Sequence, residues 1–215
     1  MIAISTCFKR ALIGVSIKDK CQTFELDANC KHSENILLNI DKLLDNMEVS
    51  FAENDSYGVV VGPGSFTGVR ISASLVKGFL AGNKDKKVVT LTSFDLMAYT
   101  YINQYKPQND FVCVIDALSG YYFVCEYDKN GNKISEEKMI DKEQYLQLKQ
   151  TVGLEEESVE CEYKITPSAK DLLELSLNKY NANKFSKPEE ILPLYLRKSQ
   201  AEVSLEETTK KSLKN

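Results

Sequence analysis

Three groups of residues have types and spacings that could do chemistry. The first is Gly62-Pro63-Gly64-Ser65-Phe66-Thr67-Gly68-Val69-Arg70. It lies between a compact apolar run and a helical pattern, where backbone N–H groups and a helix dipole can hold an anion. It lacks the Gly-Lys-Ser/Thr of a phosphate-binding P-loop, and its GxGxxxG spacing is not that of a dinucleotide fingerprint. GxSxG also fails, because Pro63 and Thr67 stand where its glycines belong. Two readings stay open: an anion or nucleotide site using Gly62, Pro63, Gly64, Ser65, Phe66, Thr67, Gly68 and Arg70, or a tight turn that lets the following helix pack closely. The second group is Asp116 before Ala117-Leu118-Ser119-Gly120, which could hold a metal or a proton, or shape a turn. The third is His32-Ser33-Glu34. Adjacent side chains at a helix entry diverge, whereas a catalytic triad needs three groups in line, so a capping Ser33 with Glu34 in the first turn is the simpler reading.

The remaining candidates are weak. Ser74-Leu75-Val76-Lys77 matches SxxK without the accompanying SDN or KTG, and among 31 acids no pair stands out as an acid/base couple. One histidine excludes HExxH, paired-His metal sites and His-Cys zinc fingers. No catalytic and no metal-ligating set emerges.

The elements that position these residues follow from periodicity. Ile2–Cys7, Ala11–Ile17 and Cys21–Leu26 read as a meander of three strands. Ile36, Ile40, Leu43 and Met47 predict a helix over Ser33–Met47, with Leu37 and Leu44 widening its stripe. Tyr57–Val61 is a buried strand entering the glycine loop. A helix over Phe66–Ala81, a strand at Val88–Leu91 and a helix capped by Ser93 follow. The second half repeats the pattern. Strands are predicted at Phe111–Ile115 and Tyr121–Tyr127, and Asn130-Gly131 turns the chain into a third. A helix at Lys142–Lys149, an acidic loop at Glu155-Glu156-Glu157, a strand within Val159–Ile165 and a helix over Pro167–Tyr180 complete it. Strand–strand–strand–helix thus occurs twice, which predicts an α/β chain of two lobes, 1–105 and 106–200, with a polar tail over 201–215.

Projected at about 100° per residue, the helix over Phe66–Ala81 has two apolar faces. Val69, Ala73, Val76 and Leu80 form one. Ile71, Leu75 and Phe79 form another, flanked by Ser74, Gly78 and Gly82. A helix covering one sheet needs only the first. The second packs under another helix of the lobe or against a partner chain.

Composition limits the partners. The 215 residues suffice for a real core, and 27 Lys and Arg against 31 Asp and Glu give a net charge of −4, which argues against a broad grip on nucleic acid. The longest apolar-leaning stretch, Val69–Gly82, is broken by Arg70 and Lys77 and is too short to span a bilayer. No signal peptide is visible at Met1–Cys7. The six cysteines form no CxxC pair, and several sit in strand runs as small hydrophobes, so a reduced cytoplasm is expected.

Val61–Gly78, VGPGSFTGVRISASLVKG, resembles the signature of the TsaB (YeaZ) family of the tRNA threonylcarbamoyladenosine pathway. His32-Ser33-Glu34 resembles that family's HSE segment, Ser93-Phe94-Asp95-Leu96-Met97-Ala98 its serine-capped helix, and Pro193-Leu194-Tyr195-Leu196-Arg197 its C-terminal P-x-Y-L-R stretch. The resemblance implies an actin-like/Hsp70-like kinase (ASKHA) fold of two ribonuclease-H-like lobes. It implies a non-catalytic scaffold that pairs with a TsaD-like catalytic paralogue, joined by a TsaE-like ATPase, with tRNA reached through the complex and a homodimer competing for the same face. It requires no cofactor of the chain itself, with ATP or ADP bound in the complex. The family's interface is formed by first-lobe helices, which implies contact through Leu37, Leu38 and Leu44 of the first and Ile71, Ser74, Leu75, Gly78 and Phe79 of the second. Two departures stand out. Ser5 replaces the aspartate of the family's first strand, and Asp116-Ala117-Leu118 replaces its D-A-R. Both losses favour a scaffold over the rival reading, a free-standing ATPase or peptidase of the same fold.

Overall fold

The computed structural model describes residues 1–27, 32–82 and 85–196, with the backbone alone for 32–34. The first half contains β1 (Ile2–Ser5), β2 (Ala11–Ile17), β3 (Lys20–Leu26), α1 (His32–Asn46), β4 (Ser56–Val60), α2 (Phe66–Ala81), β5 (Lys87–Leu91) and α3 (Ser93–Tyr105). The second contains β6 (Phe111–Asp116), β7 (Tyr121–Tyr127), β8 (Lys138–Asp141), α4 (Lys142–Tyr145), β9 (Thr151–Leu154), β10 (Tyr163–Ile165) and α5 (Ala169–Asn181).

These strands form two five-stranded sheets with one topology. The first runs β3-β2-β1-β4-β5 and the second, read from its antiparallel edge, β8-β7-β6-β9-β10. In each, an antiparallel meander is extended by two parallel strands. The duplication inferred from the order of elements is therefore a duplicated architecture, the two-lobed α/β arrangement. β1 is buried on both faces and reads as a continuous apolar run. Its Ile2 and Ile4 join a core with Ile36, Ile40, Val76 and Leu80, so α1 and α2 cover one face of the first sheet. Ala3 joins the other core, with Leu172 and Leu173 of α5. Although α5 follows the second sheet in sequence, it packs on the first, mainly across β2.

Three local expectations are corrected. Thr92, not Ser93, caps α3. Thr92 has extended backbone at φ −89°, ψ 161°, and its hydroxyl accepts from the N–H of Asp95, whose carboxylate accepts from Thr92 N–H in return. The helix predicted over Lys142–Lys149 is one turn, nucleated by the reciprocal Asp141/Gln144 cap. The stretch after it supplies β9, a four-residue strand too short to show a period, inserted between β6 and β10. The third strand of the second sheet begins at Lys138, well past the Asn130-Gly131 turn. The 201–215 tail and Cys30 lie outside the described residues, and the Ser33 cap rests on side chains that are not described. Among the described residues, no helix is long and apolar enough to cross a membrane.

Candidate functional site

The glycine loop splices α2 onto the end of β1. Ser65 N–H donates to Cys7 O at 2.9 Å, and Ser65 Oγ caps α2 by accepting from Gly68 N–H at 3.2 Å. A Cβ on Gly68 would stand 1.8 Å from Thr6 O, and one on Gly64 2.4 Å from Cys7 O, so both glycines are required by close approach. The Thr6 hydroxyl donates to Gly68 O and accepts from Ser72 N–H at 3.2 Å. Pro63 follows a cis peptide bond, and Ser93 N–H reaches back to Gly62 O at 2.8 Å. Much of the loop's hydrogen-bonding capacity is thus spent inside the chain.

The C-terminal stretch completes the loop. Leu194 N–H donates to Val61 O at 2.7 Å, and the Tyr195 ring lies 5.3 Å from that of Phe66. The Arg70 guanidinium stands 3.7 Å from the centre of the Phe66 ring and donates to Tyr195 Oη at 2.6 Å. Two motifs some 125 residues apart therefore form one structure, with Arg197 outside the described residues. Thr67 is exposed at its rim.

The loop forms one wall of an open cleft of about 910 Å³ between the lobes. Cys7, Phe8, Lys9 and residues 64–68 face Ile115, Asp116, Leu118, Phe123 and Glu156–Ser158. The far wall is acidic. Asp116 Oδ1 accepts from Leu118 N–H at 2.8 Å, the turn-shaping role. Glu157 Oε2 accepts from Asp116 N–H at 2.9 Å. Burial pushes the Glu157 carboxyl up to about 7, and the charges of Asp116 and Glu156 push the same way. Lys9 reaches this wall from the loop side, and Glu156 engages it twice: Lys9 N–H donates to Glu156 Oε1 at 2.8 Å and its ammonium to Glu156 O. Leu118 is 67% exposed and adds no charge where the family pattern has arginine. Ser5 is fully buried, its hydroxyl accepting from Cys7 N–H at 3.5 Å. Burial pushes the Cys7 thiol up to about 12, which makes it a poor nucleophile. Among the described residues no three His, Cys, Asp or Glu side chains converge on a metal position. Lys164 Nζ, on the same side as Glu157, donates to Glu157 O at 2.8 Å and to Leu154 O at 3.0 Å. Three carboxylates thus face the loop, and the two lysines beside them are both engaged by the chain itself, a set of residues poorly suited to a nucleotide phosphate.

The α1/α2 surface has a different character. Leu37 and Leu38 are half exposed, at 49% and 50%. Ser74 and Gly78 are exposed on α2, with Ile71, Leu75 and Phe79 partly covered beside them. A Cβ on Gly78 would meet nothing within 4 Å. Leu44 is 4% exposed and belongs to the core, so it is not part of this surface. Phe79 is engaged by its own chain, its ring 5.0 Å from that of Phe51 and 5.4 Å from that of Tyr57. Val69, Ala73, Val76 and Leu80, the inner face, are at most 3% exposed.

Residues 26–186 match the family model described as TsaD: tRNA N6-adenosine threonylcarbamoyltransferase. A protein of Buchnera aphidicola from Acyrthosiphon pisum, named tRNA threonylcarbamoyladenosine biosynthesis protein TsaB, is 29% identical over 79% of this chain and 81% of its own length. The chain belongs to this family, in its TsaB (YeaZ) branch. A Haemophilus influenzae protein of the same name is 30% identical over 57% of this chain and 52% of its own length. The fold agrees with the TsaB-like assignment. The crystal structure of an uncharacterized protein with similarity to peptidase YeaZ from Pseudomonas aeruginosa superimposes with a TM-score of 0.75 at 20% identity, covering 91% of this chain and 98% of that one. A second structure, YeaZ from Pseudomonas aeruginosa, gives 0.73 at the same identity and coverage.

Sequence reasoning missed one feature of the interior, the part-buried set of Asp95, Lys179 and Tyr127. Asp95 accepts from Lys179 Nζ at 2.9 Å and from Tyr127 Oη at 3.0 Å. Asp95 lay inside a recognised segment, but no spacing rule connects it to residues 32 and 84 positions away.

Proposed function

We propose that this chain is a non-catalytic subunit in tRNA threonylcarbamoyladenosine biosynthesis, binding a TsaD-like catalytic paralogue through the outer faces of α1 and α2. The role in that pathway rests on the relatives' names and on the family match. The observation that carries the scaffold reading is the α1/α2 surface, where two half-exposed leucines stand on one helix and an unpacked glycine on the other. A glycine inside a helix costs about 1 kcal/mol relative to alanine, and nothing in this chain requires it at position 78. Close approach of a partner helix supplies the reason. The acidic, lysine-poor wall opposite the glycine loop supports the same reading over a free-standing ATPase, since phosphoryl chemistry needs cations there. In this scheme a TsaE-like ATPase joins the pair in the cytoplasm, ATP or ADP binds elsewhere in the complex, and tRNA is reached through the partner.

The test is a pair of surface variants, Leu38→Asp and Gly78→Arg, each co-purified with the TsaD-like protein of the same organism. Both residues are exposed, so both chains should fold, with Tm near the parent's for Leu38→Asp and no lower than the parent's for Gly78→Arg, while complex formation falls at least about tenfold. Full retention of binding by both would refute the interface. Phe79→Asp is a poorer probe, because it also breaks the Phe51–Tyr57–Phe79 cluster.

A further inference from the structure

The two lobes are fastened at two separated points. At the far end from the cleft, Asp95 near the start of α3 takes Lys179 Nζ from α5, which lies on the first sheet, and Tyr127 Oη from the last residue of β7 in the second. At the cleft itself, Lys9 of the first lobe holds Glu156 through its backbone N–H at 2.8 Å and through its ammonium. Beside it Glu25 of β3 accepts from Arg10 at 2.5 Å and from Ala169 N–H at 2.9 Å. The strand β7 measures the separation. Tyr122 pairs with Asp116 at the cleft, and Tyr127 pairs with Phe111 five positions on, a span of roughly 17 Å at about 3.4 Å per residue.

One apolar cluster fills the space between the two fastenings. It holds Ala3, Leu12 and Leu91 from the first sheet with Cys113, Val152 and Leu154 from the second. A single contact between lobes leaves a hinge, but two separated contacts with a close-packed core between them block rotation about either one. We propose that this two-point fastening fixes the aperture of the interlobe cleft, so that the chain does not close around a ligand and presents its α1/α2 surface on a rigid body. The inference goes beyond the scaffold reading and stands or falls separately from partner binding.

The experiment places spin labels at Thr67 and Ser158, exposed residues on opposite walls of the cleft. They are introduced as non-natural side chains, because exposed Cys21 would also take a thiol label. Pulsed dipolar spectroscopy of the intact chain should give one narrow distance, unchanged by millimolar Mg·ATP. A variant combining Lys9→Ala and Glu156→Ala, which removes both contacts at the cleft, with Lys179→Met should broaden it at least about twofold. Two distances in the intact chain, or a shift on adding Mg·ATP, would overturn the proposal. So would an unbroadened distance in that variant when folded. Should it fail to fold, Lys9→Ala with Glu156→Ala, which removes only exposed contacts, is measured in its place, with broadening again expected and its absence contrary.

Discussion

Glu157 shows most directly how a single side chain sets the character of the cleft. Burial raises its carboxyl from 4.5 to about 7, so the folded state favours the neutral form. The stability it contributes is present in acid, below the unfolded value, and is lost as pH rises through about 7. Glu157→Gln keeps an acceptor for Asp116 N–H and carries no charge. It should therefore be more stable than the parent at pH 8.5, by about 1–3 kcal/mol at 1.36 kcal/mol per unit discounted for partial exposure, and equal to it at about pH 3.5, below the unfolded value. Urea unfolding at the two pH values checks this, and an equal difference at both would contradict the titration account. Asp95 behaves in the opposite sense. Burial alone would raise its carboxyl, but the Lys179 charge and the hydrogen bonds from Thr92, Lys179 and Tyr127 outweigh it and hold the group low. Its contribution is present above the unfolded carboxylate range and is lost as pH falls through the folded value. Lys179→Met leaves that carboxylate buried without its cation and should cost about 3 kcal/mol at pH 7 in urea unfolding. The loss should shrink in acid, where Asp95 becomes neutral.

At the scale of elements, α2 carries two glycines with opposite consequences. Gly68 lies against Thr6 O with no space for a methyl group, so Gly68→Ala should cost about 3 kcal/mol or more. Gly78 faces open space, so Gly78→Ala should stabilise the isolated chain by about 0.5–1 kcal/mol and raise Tm by about 1–4 °C. It should also weaken binding to the TsaD-like partner. Scanning calorimetry of the two variants separates the positions. Elements with a strong signal were legible in the sequence. The helix over Phe66–Ala81 and the strands Ala11–Ile17 and Tyr121–Tyr127 have the bounds that periodicity gives them. What escaped was short or set by geometry alone. Thr92 and Ser93 are both good capping residues, and only backbone dihedrals decide between them. β9 has four residues and no period. At the site, the loop could be found by its glycines, and whether they bind an anion or allow close packing depended on where Thr6 and Cys7 lie. The joining of Tyr195 to Phe66 and Arg70 depends on tertiary structure that no local pattern encodes.

For the whole molecule, the duplicated sheets and the shared apolar cluster describe a body built to hold shape. Ser5, Leu118 and the acidic wall at Asp116, Glu156 and Glu157 give a cleft of enzyme-like size whose neighbouring lysines, Lys9 and Lys164, are held by the backbone of that wall. The α1/α2 surface retains unpacked apolar residues on a chain whose inner helix faces are fully covered. These features support the proposal that this chain is the supporting member of an assembly. The central claim is tested most directly by size-exclusion chromatography with light scattering, on this chain alone and mixed with the TsaD-like protein of its own organism. The account predicts a hetero-complex of equal stoichiometry, one-to-one or two-to-two. Separate elution of the two proteins, with and without ATP and the TsaE-like ATPase, would contradict it.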